Sequence, residues 1–434
     1  MAREQPINAE VRPAQPPARS APRDAPAPAP KRARRRRRPV PGALKGIAGL
    51  FLLAIVFLVA AIVGGGSGGE EPAQAPAPTG EAPGAAAEQG PQELGYPAFA
   101  TSNTTRVGGA DAAANAAAVA LAVYPSTTPA QRPAAVTVVD AADWRAALAA
   151  AVLMAPPLGA PLLISGAERA PEPTAQALAA LDPQGDGGSR GAQAFAIGAA
   201  SVPGELETRR IGRGGGQGAA AIAALRERLA GRAPRHVVIA PASEPAFAMP
   251  AAAWAARSGD PILFANRDSL PGPTAAALRR HPRAPVYVLG PSSAISSEVV
   301  REISAIAKRV RRVSGEDPAA NAVELARYAS GGFGWNVTDP GHGFVVTRSD
   351  EPLAAAAAAP LSASGTWGPL LLTDSAATLP AALRDYLLDV KPGYTTDPTR
   401  AFYNHVWVIG DQEAIDVNLQ AEIDELAELT KIGG

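Results

Sequence analysis

The sequence predicts an α/β protein with three tandem units, each built around a parallel sheet. Short apolar runs alternate with alanine-rich stretches of helical length, and this alternation of strand and helix is typical of parallel pairing. The apolar runs lack polar alternation, which indicates strands that helices cover on both faces. Three sequence landmarks also recur three times in one order, about 100 residues apart. Units of that length are large enough to be domains, and we place them at 96–206, 207–307 and 308–434.

The landmarks are short patterns of arginine, proline and glycine around apolar residues. The first is an arginine, an aliphatic residue, any one residue and then glycine, or a variant of this pattern, and it begins at Arg106, Arg210 and Arg312. The second is a proline followed by three apolar residues, and it begins at Pro161, Pro261 and Pro369. The third is an apolar strand ending in glycine, at 195–198, 287–290 and 407–410. Proline is tolerated at the first residue of a strand, and we expect the strands after it, with Leu163, Ile262 and Leu371, to be central and buried.

Unit one shows the alternation most clearly. Its predicted elements are a helix near 111–123, a strand at 136–139, a helix near 143–153, a strand at 162–164, a helix near 173–181 and a strand at 193–197. Each of these strands is a short continuous apolar run.

Residues 46–63 form an apolar segment without a charge. As a helix it would be about 27 Å long, close to the thickness of a hydrocarbon core. A basic cluster precedes it, with arginine at every position from Arg34 to Arg38, whereas two glutamates follow it. Positive residues stay on the cytoplasmic side, so we predict one transmembrane helix within 43–66, a cytoplasmic N-terminus and an extracellular C-terminal part at the plasma membrane. A cleaved signal peptide is the alternative, although its charged region would be unusually long.

The segments on either side of this helix are predicted to be unfolded. Residues 1–42 are rich in Pro, Ala and Arg, which is typical of a disordered tail. The arginines from Arg34 to Arg38 can contact anionic membrane lipid, and recruitment of a cytoplasmic partner or nucleic acid is the alternative. Residues 67–95 mix Gly, Pro, Ala and Glu, as linkers do.

Composition restricts the chemistry. The chain has 40 Lys and Arg and 40 Asp and Glu, but residues 1–45 hold twelve basic residues against three acidic ones, so the folded part is slightly acidic. No cysteine is present, which excludes disulfides, thiolate zinc sites and a thiol nucleophile. The four histidines (His236, His281, His342 and His405) show no metal-binding spacing. We therefore expect no metal and no cofactor.

The landmarks resemble the cell wall-binding repeat type 2 family of Gram-positive surface proteins, which typically has three tandem copies. The family's opening is similar to RVGG at 106–109 followed by Asp111, and to RVSG at 312–315 followed by Asp317. Its Pro-Ile-Leu-Leu motif is matched best at 261–264. The resemblance implies three Rossmann-like domains in a pseudo-threefold assembly and noncovalent attachment to an anionic cell-wall polymer.

Two short motifs imitate nucleotide or catalytic sites. The pattern GxGxxA from Gly214 looks like a phosphate loop, but no convincing strand precedes it and no acid follows the next strand, so a flexible loop is the simpler interpretation. The segment 290–294 looks like a nucleophile elbow, yet the equivalent positions in the three units share no nucleophile. Helix capping by Ser293 or Ser296 explains it, and we predict no catalytic residue.

Two classes of function remain open from the sequence. The favoured one is a nonenzymatic, membrane-anchored extracellular protein that binds an anionic wall polymer; the alternative is an envelope hydrolase or transferase, or a protein-partner scaffold that has kept only the repeat fold. Because the folded part has no net positive charge, local basic clusters are the candidate polymer contacts: Arg106, Arg209, Arg210, Arg213, Lys308, Arg309, Arg311 and Arg312. Structural roles are expected for Pro161, Pro261, Pro369, Asp111 and Asp317. We expect ligands at the carboxyl ends of strands and at helix N-termini.

Overall fold

The structure, a computed structural model, describes residues 99–212, 216–365 and 367–433. The predicted tail, transmembrane helix and linker lie outside the described residues, as does Arg213. Within those ranges, no helix is long and apolar enough to cross a membrane.

Strands and helices alternate along the described chain. The strands are β1 (Phe99–Ala100), β2 (Thr104–Val107), β3 (Val136–Asp140), β4 (Leu162–Ser165), β5 (Ala194–Ile197), β6 (Thr208–Ile211), β7 (Val237–Pro241), β8 (Ile262–Ala265), β9 (Val286–Leu289), β10 (Val310–Val313), β11 (Gly343–Arg348), β12 (Leu370–Thr373), β13 (Gly393–Tyr394), β14 (His405–Ile409) and β15 (Thr430–Lys431). The helices are α1 (Ala112–Val123), α2 (Trp144–Ala150), α3 (Glu172–Leu181), α4 (Gly216–Ala230), α5 (Pro245–Ala248), α6 (Pro250–Ser258), α7 (Gly272–Arg280), α8 (Ser297–Ile306), α9 (Pro318–Arg327), α10 (Pro352–Ala363), α11 (Ala381–Asp389) and α12 (Val417–Ala427). Short 3-10 helices cover Pro129–Gln131, Ala151–Met154, Gly187–Ser189 and Pro398–Arg400.

Three separate sheets form from these strands. The first has the order β4-β3-β5-β6, the second β8-β7-β9-β10 and the third β12-β11-β14-β2, and all of these neighbours are parallel. Strand β1 adds an antiparallel edge to the third sheet, and β13 and β15 form a separate two-stranded ladder. The prediction of an α/β fold with several parallel-sheet units is therefore confirmed.

Each sheet takes its last strand from the next sequence unit. Strand β6, from the start of unit two, completes the first sheet, and β10, from the start of unit three, completes the second. Strand β2, from the start of unit one, pairs with β14 and completes the third sheet. The opening landmark of every repeat thus belongs in space to a neighbouring unit, and the three exchanges close a ring.

The strands after the repeated prolines lie at sheet edges. Leu163, Ile262 and Leu371 are in β4, β8 and β12, so the prediction that they occupy central strands is wrong. All three residues are nevertheless 0% exposed. Helices from two different units cover each edge: α1 and α10 on β4, α4 and α2 on β8, α9 and α6 on β12. An edge strand therefore gives the same continuous apolar signal as a central one.

The repeated prolines take part in the ladders through their carbonyl groups. The carbonyls of Pro161, Pro261 and Pro369 accept hydrogen bonds from the neighbouring strand at 2.8, 2.9 and 3.1 Å. Proline has no N–H to donate, and it stands where only an acceptor is needed.

Three alanine-rich helices, α2, α6 and α10, contact one another between the sheets. All of their alanines except the partly buried Ala363 are buried, including every residue from Ala354 to Ala359 in α10. Small side chains at a contact allow helix axes to approach closely. Each of these helices also covers the edge strand of another unit, so this alanine cluster joins all three units.

Candidate functional site

The repeated arginines bind backbone carbonyls of the adjacent strand and loop. Arg312 on β10 donates from Nη1 to the carbonyl of Gly290 at 2.6 Å and from Nη2 to the carbonyl of Ile295 at 2.7 Å. Gly290 is the glycine that ends the third landmark in unit two. The first landmark of one repeat therefore contacts the third landmark of the repeat before it, and burial of the guanidinium lowers the pKa of Arg312.

Arg106 repeats this arrangement between the two ends of the described chain. Its Nη1 donates to the carbonyl of Gly410 at 3.0 Å, and its Nη2 donates to that of Ile415 at 2.6 Å. Its Nε donates to Oε1 of Gln420 at 3.0 Å. The residue is 2% exposed, and burial lowers the pKa of its guanidinium although nearby carboxylates oppose the shift. Arg106 thus closes the ring, which differs from the polymer contact expected from the sequence.

The other basic candidates lie at the edges of two different sheets. Arg209 is half-buried on β6, and the exposed Arg210 donates from Nη1 to the carbonyl of Ala200 at 3.0 Å. Three further exposed residues lie on or just before β10, at the edge of the second sheet: Lys308, Arg309 and Arg311. The structure does not bring the two clusters into one sheet.

The aspartates of the opening landmark act as helix caps. Oδ1 of Asp111 and of Asp317 accepts from the backbone N–H three residues later, at 2.8 Å in both cases, at the starts of α1 and α9. Asn115 accepts from the N–H of Gly109 at 2.9 Å. Gly108 has a φ of +130° and no room for a Cβ atom beside Asn115. These residues shape the loop after β2.

Strand β6 precedes the glycine-rich segment, so the expectation that no strand stands before it is wrong. Residues 213–215 lie outside the described ranges, and α4 begins at Gly216. The next strand, β7, ends at Pro241 without an acid for a ribose.

A cleft of about 340 Å³ lies where the second sheet meets a loop of unit three. Its walls come from the last turn of α6, the residues just before β7, β8 and β12, and the loop after α9. We call it the tryptophan cleft, and define it by Arg235, Trp254, Arg257, Asp260, Trp335 and Trp367. It lies at the amino ends of its strands, whereas we expected ligands at the carboxyl ends.

Three of the chain's five tryptophans line this cleft. The rings of Trp254 and Trp335 meet edge to face at 5.6 Å, and those of Trp335 and Trp367 stack at 6.1 Å with 25° between planes. Trp254 and Trp335 are 7% and 5% exposed, whereas Trp367 is half-buried. The buried Nε1 of Trp335 has no hydrogen-bond partner in the described part of the chain. Indole N–H groups usually find an acceptor when buried.

The cleft carries two cations without a counterion. Arg235 and Arg257 are exposed, and neither forms a hydrogen bond or an ion pair with another residue of the described ranges. The guanidinium carbon of Arg257 lies 4.4 Å from the centre of a Trp367 ring, which is cation–π geometry. Partial burial lowers the pKa of Arg257, but an arginine remains charged at neutral pH. The cleft therefore presents positive charge beside aromatic surface.

A buried polar network supports this wall. The carboxylate of Asp260 accepts from the backbone N–H of His236 at 3.0 Å, from its ring Nδ1 at 2.9 Å and from Nε1 of Trp254 at 3.1 Å. Nε2 of His236 lies 3.2 Å from the carbonyl of Gly331, and the Ser258 hydroxyl donates to the carbonyl of Trp254 at 2.8 Å. Both ring nitrogens of His236 are occupied and no hydroxyl is paired with them. The geometry is that of a support and not of a nucleophile with its base.

The sequence did not reveal the tryptophan cleft, because its residues have no counterparts in the other two repeats. Counted back from the proline before each edge strand, Trp254 corresponds to Met154 and Ser362, and Arg257 has no basic counterpart. A signal was present in the concentration of tryptophan at 254, 335 and 367 in a chain with only 5% aromatic residues. Nothing in the spacing showed that these segments meet.

Residues 217–300 match the family model described as Cell wall binding domain 2 (CWB2). The predicted family resemblance is confirmed. The CWB2 match runs from α4 to α8 and contains three strands of the second sheet and the α6 wall of the tryptophan cleft.

Two solved structures share the fold around this CWB2 segment. Cwp6 from Clostridium difficile is 20% identical with a TM-score of 0.58, and the match covers 75% of this chain and 48% of that one. Cwp8 from Clostridium difficile is 19% identical with a TM-score of 0.56, covering 75% of this chain and 52% of that one. The chain therefore spans about half the length of these neighbours. No curated protein sequence matches the chain.

Proposed function

We propose that this protein binds an anionic polymer of the bacterial cell wall, without catalysing a reaction, and holds that polymer at the outer face of the plasma membrane. The observation that carries the proposal is the CWB2 match over residues 217–300. The uncompensated Arg235 and Arg257 in the same region supply local positive charge that the net charge of the chain does not.

The geometry of the polar groups supports a noncatalytic role. In the wall of the cleft, His236, Asp260 and Ser258 have the chemistry of a base, an acid and a nucleophile. All three use their polar atoms in the support network. A general base needs a free lone pair within reach of a substrate proton. Binding needs only the exposed cations and rings of the cleft.

Membrane attachment is supported by residues outside the described ranges. The apolar segment 46–63 has the length of a membrane helix, and the arginines from Arg34 to Arg38 set its direction. The same arginines would contact anionic lipid at the inner leaflet. The ring of three units would then stand outside the membrane at the end of the linker 67–95.

Wall binding is tested by cosedimentation of the full chain, purified in detergent, with wall fractions at increasing salt. We expect binding that weakens steeply with salt, because contacts between exposed charges are screened over about 8 Å at physiological ionic strength. Two triple variants test the contacts predicted from the sequence. The first combines Arg209→Gln, Arg210→Gln and Arg213→Gln. The second combines Lys308→Gln, Arg309→Gln and Arg311→Gln. The control is a third triple variant, which combines Arg301→Gln, Arg327→Gln and Arg384→Gln. It also removes three positive charges, but from arginines that already form surface ion pairs.

A wild-type chain that ignores every wall fraction at low salt would contradict the proposal and favour a protein partner. Topology is tested separately with protease added to wall-stripped cells. We expect loss of residues 95–434 and protection of the N-terminal tail. The reverse pattern would place the folded part inside the cell and exclude a wall role.

A further inference from the structure

We propose that the tryptophan cleft is a single, non-repeated binding site for an anionic sugar unit. A carboxylate or phosphate on the sugar binds Arg235 and Arg257, and the ring of the sugar lies against the half-buried Trp367. This inference rests on the proposed function in one respect only, namely that the sugar is part of the wall polymer.

The first support is that the cleft is not needed by the repeated fold. A residue that maintains the fold should have counterparts in all three units, as the arginines at 106, 210 and 312 do. The position of Trp254 holds Met154 in unit one and Ser362 in unit three, and the position of Arg257 holds Pro157 and Gly365. Units one and three therefore form the same kind of sheet with other side chains at these positions, so Trp254 and Arg257 are specific to unit two.

The second support is charge. Arg235 and Arg257 have no acidic partner in the described ranges, and the one carboxylate in the wall, Asp260, is 1% exposed and engaged by His236 and Trp254. Trp367 lies against the guanidinium of Arg257 at 4.4 Å, which restricts its orientation before any ligand arrives. A planar guanidinium fixed in this way matches the oxygens of a carboxylate or phosphate.

The third support is the aromatic wall. Sugars present C–H groups on one face and hydroxyl groups at the rim, so an aromatic surface beside polar groups suits them. Trp335 and Trp367 form a stacked pair at the cleft, and Trp367 is only half-buried, so part of its surface is open to a ligand. The volume of about 340 Å³ is within the range of small-ligand sites and accommodates one sugar with its substituent.

The test is titration of the full chain in detergent by calorimetry and by tryptophan fluorescence. The probes are glucuronate, glucose 1-phosphate, glucose and inorganic phosphate. Comparison of their affinities separates the contribution of a sugar carboxylate or sugar phosphate from that of the uncharged sugar and of the anion alone. We expect saturable one-to-one binding of at least one anionic sugar with a fluorescence change, and affinity at least tenfold weaker for glucose and for inorganic phosphate.

The variants are Arg257→Gln, Arg235→Gln and the charge reversal Arg257→Glu, all at exposed positions that should leave folding intact. Each should weaken binding of the anionic sugar at least tenfold. Arg301→Gln, an exposed arginine in an ion pair on α8, is the matched control and should bind like the wild type. Circular dichroism and a melting curve confirm that each variant is folded.

Three results would overturn the inference: no binding of either anionic sugar, inorganic phosphate binding as tightly as glucose 1-phosphate, or unchanged affinity in Arg257→Glu. Wall cosedimentation of the same proteins separates this inference from the proposed function. Sugar binding and wall binding that are both equal in wild type and in Arg257→Glu would reject the cleft and keep the wall role. Arginine-dependent sugar binding without any wall binding would keep the cleft and reject the wall role.

Discussion

The Nη1 of Arg106 lies 3.0 Å from the carbonyl oxygen of Gly410, 304 residues further along the chain. The same contact joins Arg312 to Gly290 at 2.6 Å, 22 residues apart. One pair lies within consecutive elements, and the other connects the beginning of the folded region to its end. The same arginine-to-glycine contact therefore adds the last strand to the second sheet locally and closes the ring at the third sheet.

Replacement of Arg106 by Gln should destabilise the protein by about 3 kcal/mol or more. The buried guanidinium supplies hydrogen bonds to Gly410, Ile415 and Gln420, and its loss leaves buried acceptors without donors. Urea unfolding followed by circular dichroism measures the change. Arg312→Gln, at a half-buried position with two of these bonds, should have a smaller effect. Equal effects would show that ring closure adds nothing to the local contact.

Enlargement of a central alanine should also destabilise the fold. Ala356 in α10 is 0% exposed, in the cluster where α2, α6 and α10 meet. Ala356→Leu should lower the free energy of unfolding by about 1–3 kcal/mol because the helices must separate to admit three more carbons. The control is Ala421→Leu at an exposed site of α12, which should change stability by less than about 0.5 kcal/mol. Equal melting temperatures would argue against close contact at the centre.

A charge in a repeated edge strand should be as harmful as one in a central strand. Leu371 is 0% exposed on β12 under helices from two units. Leu371→Asp should destabilise the protein by several kcal/mol, since an unpaired carboxylate would be buried. Leu388→Asp, at a position that is 48% exposed, is the control and should be nearly neutral. A soluble Leu371→Asp variant with an unchanged melting point would contradict the burial of this edge.

Acid should destabilise the third sheet through His405. Burial lowers the pKa of His405 from 6.5 to about 4, although the nearby Asp424 opposes the shift. The unfolded chain therefore binds this proton more readily than the folded one, and stability falls as the pH drops from 6.5 towards 4, by roughly 3 kcal/mol in all.

The measurement is urea unfolding of wild type and His405→Gln at several pH values between 7 and 4. Other carboxylates titrate in this range, so the difference between the two proteins isolates the histidine. We expect that the stability of wild type relative to the variant declines as the pH falls. Parallel pH profiles would show that His405 is protonated as easily in the folded protein as in the unfolded chain.

Local sequence predicted the order and type of the elements well. The expected helix near 111–123 is α1, capped by Asp111, and the strands expected at 136–139 and 162–164 are β3 and β4, each one residue longer. Hydrophobic patterning and capping depend on neighbours within a few residues, so they can be read along the chain. The confirmed family resemblance rests on the same local motifs.

The sequence by itself determined the α/β class, the threefold repetition and the absence of cysteine chemistry, because these follow from periodicity and composition. Tertiary structure alone decided which sheet receives each opening strand, since an apolar run specifies that it is buried but not against which partner. It also decided that Arg106 is enclosed, while Arg235 and Arg257 have no counterion among the residues that the structure describes. Tertiary structure likewise decided the tryptophan cleft. Its residues lie as far apart as 235 and 367 in the chain, and only the packing of unit two against unit three brings them together.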